Sequence, residues 1–179
     1  MTLARAALAL ALMLPAAVQA EGVFDTHFND GGCYLRDYTP HELAEHPDQL
    51  VRSILLAPVP IAEPKGTRIF NLMVNLRGSD DYPSGIATCK ARGKTMACAL
   101  DNGGGRFTLK AADNNLLLSI AKTDVVLQGA RGSVTLSGTR GDDRVFLMAN
   151  VSPALCNLGA DASDDDSFVI PQVPADACP

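Results

Sequence analysis

After residue 49 most of the chain alternates apolar and polar positions with a period of two. In 68–77, Phe70, Leu72, Val74 and Leu76 share one face, with Asn71 and Asn75 on the other. In 106–111, Phe107, Leu109 and Ala111 alternate with Arg106, Thr108 and Lys110. This is the period of a strand with one face buried. Shorter apolar runs at 51–57, 116–121, 125–128, 134–136 and 145–148 are bounded by Gly, Pro, Asn or Asp clusters. Together with a hairpin at 86–100 they make about nine strands, with turn signals roughly every eight to twelve residues. The fold class predicted is all-β: an antiparallel up-and-down meander of about eight or nine strands forming a small barrel, with a sandwich as the alternative. Short connections make neighbours in sequence neighbours in the sheet, and closing the sheet removes its edges.

The hairpin carries the most specific signal. With Gly93-Lys94 at the centre of a type II′ turn, Arg92 pairs with Thr95, Ala91 with Met96 and Lys90 with Ala97, so Cys89 faces Cys98. Counting outward from the turn makes this a non-hydrogen-bonded pair, with Cα atoms about 4.5 Å apart, within disulfide range. Before the strands, residues 21–38 show no clean period. Thr39-Pro40-His41-Glu42 reads as a helix start, with Thr at the N-cap, Pro at N1 and Glu closing a capping box. Pro47 ends that helix at or before His46, giving one short helix over 39–46.

The inward set on this reading is Phe70, Leu72, Val74, Leu76, Phe107, Leu109, Leu116, Leu118, Ile120, Val125, Leu127, Val134, Leu136, Val145 and Leu147. These mid-sized aliphatics bring few polar groups to orient a ligand, and eight strands of them fill a barrel. A packed core is therefore expected.

Residues 1–20 have the form of a signal peptide: Arg5, an apolar run from Ala6 to Leu14, and a small-residue cleavage site at Val18-Gln19-Ala20. The domain plan is leader 1–20, β domain 21–150, and an irregular acidic and Pro-rich segment 151–179. The expected location is the periplasm or the exterior, with no membrane insertion after cleavage. The chain has 15 basic and 20 acidic side chains, net −5; without Arg5, 14 basic against 20 acidic give −6. That balance argues against nucleic acid or anionic lipid as partner. Trp is absent and aromatics make up 5 %, which weakens any sugar platform or base-stacking surface.

All five cysteines follow residue 20. No Cys-x-x-Cys occurs, so bridges are expected rather than zinc. Beyond Cys89–Cys98, a bridge from Cys33 to Cys156 would tie the segment before the sheet to the one after it. Cys156–Cys178 is the alternative; on the first pairing Cys178 is left unpaired.

Candidate chemistry is sparse. His41-Glu42-Leu43-Ala44-Glu45-His46 lacks the four-residue His spacing of a zincin, and i,i+4 pairs His41/Glu45 and Glu42/His46 are expected instead. Asp25, His27 and Asp30 could share a metal with His41 or His46. Asp161, Ser163, Asp165 and Ser167 match positions 1, 3, 5 and 7 of a calcium loop, but Asp166 stands where Gly belongs and Gln172 where Glu belongs. Asn102-Gly103-Gly104-Gly105 is a turn, since no helix follows it to cradle a phosphate. No Gly-x-Ser-x-Gly elbow is present.

The stretch Cys33-Tyr34-Leu35-Arg36-Asp37-Tyr38-Thr39-Pro40, with His46-Pro47-Asp48-Gln49, resembles the N-terminal signature of a family of uncharacterised exported bacterial β-rich proteins with no known activity. Asp142-Asp143-Arg144-Val145-Phe146-Leu147 is similar to their last strand. The resemblance implies a bacterial periplasmic protein and assigns no catalytic or binding residue. The functional expectation is an exported, non-enzymatic β domain without a cofactor. It would be a binding or inhibitor-like module meeting a protein or small ligand through its surface or loops. The alternative is a calcium- or zinc-dependent protein using the Asp and His side chains above.

Overall fold

The computed structural model describes residues 27–28, 32–61 and 66–152. In chain order the elements are β1 (Cys33–Asp37), α1 (Pro40–Glu45), β2 (Val51–Pro58), β3 (Thr67–Leu76), β4 (Ser84–Arg92) and β5 (Thr95–Leu100). There follow a 3-10 turn (Asp101–Gly103), β6 (Arg106–Ala112), β7 (Asn115–Ser119), β8 (Val125–Gly129), β9 (Gly132–Leu136) and β10 (Val145–Val151).

Strands β1 to β6 each pair with the next, β10 pairs with both β7 and β1, and the ring closes as an eight-stranded antiparallel barrel. The meander holds with one departure. Hairpin β8–β9 stands outside the ring and joins β4 only through Ser84 and Gln128. Its Val125, Leu127 and Leu136 belong to the same buried cluster as the barrel interior, so it lies across the end where β4 begins. That close approach is seen at Gly105: its φ is +99°, and a Cβ there would sit 2.0 Å from the Asp124 carbonyl oxygen.

The hairpin register is the one the turn chemistry predicts, from Arg92/Thr95 down to Cys89/Cys98. Gly93 has φ 59° while Lys94 is not in the positive region, the combination of a II′ turn. Cys89 and Cys98 are bonded, with Cα atoms 4.0 Å apart, and both sulfurs lie in the core. In α1 both arms of the capping box form: Glu42 N donates to Thr39 Oγ1 at 3.3 Å, and Thr39 N donates to the Glu42 carboxylate at 2.8 Å. Leu43 is the side chain this helix buries.

One strand was not predicted, and one expectation about faces is corrected. β1 falls within the stretch that showed no period, because both of its faces are covered. Tyr34 points into the barrel, while Cys33 and Leu35 form an outer cluster with Leu55 and Met73. On β10, Phe146 and Met148 face inward and are fully buried, whereas Val145 and Leu147 are about half exposed. The run Val-Phe-Leu-Met has no polar residue to mark a face. Pairing decides it, by setting Phe146 against Leu118 and Met148 against Leu116. A one-residue shift exchanges the faces of a whole strand.

Candidate functional site

The barrel interior offers no room for a ligand along its wall. Leu56, Phe70, Leu72, Leu109, Leu116, Leu118, Phe146 and Met148 have no accessible surface. None of these side chains borders a void large enough for water.

Polar groups are buried at the two ends. At the end where β2 and β10 begin, Asp143 accepts from Leu50 N at 2.8 Å, Val51 N at 2.9 Å and Gln49 Nε2 at 2.7 Å. Burial pushes its carboxyl above the ordinary value, against the pull of the Val51 and Leu50 amides. At the other end, Tyr34 Oη lies 2.7 Å from His27 Nδ1 and donates to the His27 carbonyl at 3.2 Å, and Asn150 Nδ2 donates to Tyr34 Oη at 3.5 Å. Burial lowers the His27 pKa and pushes Tyr34 up to about 12. His27 Nε2 is buried without a hydrogen-bond partner. Phe28 packs on Tyr34 and Phe70 at 5.4 and 4.7 Å between centroids, closing this end with aromatic surface.

The outer wall is where unsatisfied chemistry collects. Strands β2 to β10 contain no carboxylate; Asp37 in β1 is the one acidic residue in any described strand. The period of two sends Lys90 and Arg92 outward from β4, and Arg106 and Lys110 outward from β6, all exposed. Lys94 is exposed in the turn between β4 and β5. Among the described residues none of these five cations has an ion-pair partner. Between the two charged rows, β5 presents only Thr95, Ala97 and Ala99. The result is a strip of small side chains flanked by two rows of cations, a basic-walled trough in the sense of side-chain length alone.

The metal candidates are scattered. His27 is at the Tyr34 end of β1, while His41 and His46 are on or beside α1, beyond the other end. His41 meets Glu45 at 3.5 Å, as the i,i+4 spacing predicts. His46 meets Asp142 at 3.5 Å rather than Glu42, whose carboxylate is taken by Thr39 and Arg36. Among the described residues no three His, Cys, Asp or Glu side chains are grouped to hold a metal ion. Asp25, Asp30 and the loop positions Asp161, Ser163, Asp165 and Ser167 lie outside the described residues. Cys33 is disulfide-bonded; its expected partner Cys156, like Cys178, also lies outside them.

The trough was missed by reading the sequence because each of its cations, taken singly, is an ordinary solvated strand residue. The signal available was the absence of Asp and Glu from every strand pattern after β1. Among the described residues no helix is long and apolar enough to cross a membrane. No family model, curated protein or solved structure matches the chain.

Proposed function

We propose that this is an exported binding module that engages its partner on the outside of the barrel, without a catalytic role. The supporting observation is the filled interior: the inward side chains that would line a ligand cavity are in contact with one another. A leader-like segment at 1–20 and a disulfide in the central hairpin support export. Binding on the outside leaves specificity to side chains on a rigid sheet.

The interior is tested with a small apolar probe. Leu109→Ala is expected to cost about 2–5 kcal/mol by opening a cavity. Benzene should then raise the melting temperature of the variant and leave the wild type unchanged, because engineered apolar cavities take up such probes. Stoichiometric uptake of benzene or a fatty acid by the wild-type barrel would replace this reading with that of a ligand carrier.

A further inference from the structure

We propose that the trough over β5 is a docking site for a short acidic polypeptide segment of another protein, held between Lys90 and Arg92 on β4 and Arg106 and Lys110 on β6. The proposal rests on the outer-surface reading above and names the surface and the partner chemistry.

Register supplies the dimensions. Lys110 lies opposite Thr95, and Thr95 opposite Arg92, so cations on the two walls are two strand spacings apart, about 10 Å. Along β4, Lys90 and Arg92 are two residues apart, about 7 Å; along β6, Arg106 and Lys110 are four apart, about 13 Å. An extended peptide sends alternate side chains to opposite sides, with a repeat of about 7 Å on each side. Laid along β5, it therefore presents carboxylates to both walls in step with the cations. The methyl-sized floor of Ala97 and Ala99 lets its backbone approach closely. β5 is paired on both sides through the barrel wall, so recognition falls to side chains and not to strand addition.

The surroundings select a short polypeptide over a long polyanion. Asp101 follows β5 at one end of the trough and Asp113 sits in the β6–β7 turn at the other, both exposed. A chain carrying negative charge beyond the trough would meet them. No aromatic side chain faces outward here, Phe107 being inward and 2 % exposed, so bases have nothing to stack on.

The test titrates fluorescently labelled hexa-aspartate with the full chain, followed by anisotropy at low ionic strength. Saturable binding is expected. It should weaken at least tenfold in Lys90→Gln/Lys110→Gln, fall steeply with added salt, and stay unchanged in Arg140→Gln, a loop cation away from the trough. Wild type that fails to bind, a double variant that binds as wild type does, or tighter binding of a hexanucleotide would each overturn the proposal. A last arm neutralises the chain's own acidic run with Asp161→Asn, Asp164→Asn, Asp165→Asn and Asp166→Asn. If the peptide binds only then, the chain's own segment is the occupant and a partner protein is not. Uptake of benzene or fatty acid by the wild type tests the outer-surface reading separately, so the two failures are distinguishable.

Discussion

The two ends of the barrel bury polar groups in opposite ways. At the end where β2 and β10 begin, Asp143 bonds two backbone amides and the Gln49 side chain, and Gln49 Nε2 also reaches Val51 O at 3.0 Å. Every donor there has an acceptor, and the network ties the start of β2 to the residues before β10. At the other end, His27, Tyr34 and Asn150 share one hydroxyl, and His27 Nε2 is left over. A satisfied network fixes a strand junction. A partly satisfied one is a place where an apolar substitute is tolerated, because the desolvation penalty is already being met.

Substitution can break this contrast. Asp143→Ala removes the acceptor shared by the Leu50 and Val51 amides and the Gln49 side chain and should cost about 3–5 kcal/mol in chemical denaturation. Tyr34→Phe removes one hydroxyl from the opposite network and should cost about 1–2 kcal/mol. His27→Leu removes the orphaned nitrogen and should change stability by less than about 1 kcal/mol, in either direction. If His27→Leu is as damaging as Asp143→Ala, the two ends are not different in kind.

Acidity sharpens the same contrast. The His27 pKa is lowered in the fold, so its contribution is complete above the ordinary value of 6.5 and is lost as pH falls through the folded value. The Asp143 pKa is raised, so its contribution is complete below the ordinary value of 3.8 and is lost as pH rises through the folded value. Melting temperature followed between pH 7 and 4 should fall less steeply for His27→Leu than for wild type. Asp143→Asn should fall more steeply, since it lacks the group that gains on acidification. Parallel curves for all three proteins would remove the distinction.

Much of the fold was legible because its signals are local. The II′ turn at Gly93-Lys94 sets the register of β4 and β5, and register alone brings Cys89 to Cys98. Thr39, Pro40 and Glu42 specify the start of α1 within a single turn of chain. β1 and the faces of β10 were illegible for one shared reason: their residues are apolar on both sides, and a pattern without contrast carries no period. The hairpin β8–β9 alternates as a barrel strand would, and nothing local says that β10 takes its place beside β7.

The candidate site was legible residue by residue but not as a site. That Lys90, Arg92, Arg106 and Lys110 point away from the core follows from the period of two. That they flank one strand of small side chains follows from the pairing of β4, β5 and β6, also foreseeable from short connections. The amino-acid sequence by itself determined the strands with a polar face, the helix cap and the central disulfide, because each depends on residues a few positions apart. Closure of the ring between β1 and β10 and the meeting of Asp143 with Gln49 or of Tyr34 with Asn150 join residues about a hundred positions apart, and the pairing of β10 with β7 that leaves β8–β9 outside skips a whole hairpin. Only the tertiary structure decided those, because such contacts form where the whole barrel leaves a buried donor beside an acceptor, and no local pattern encodes that coincidence.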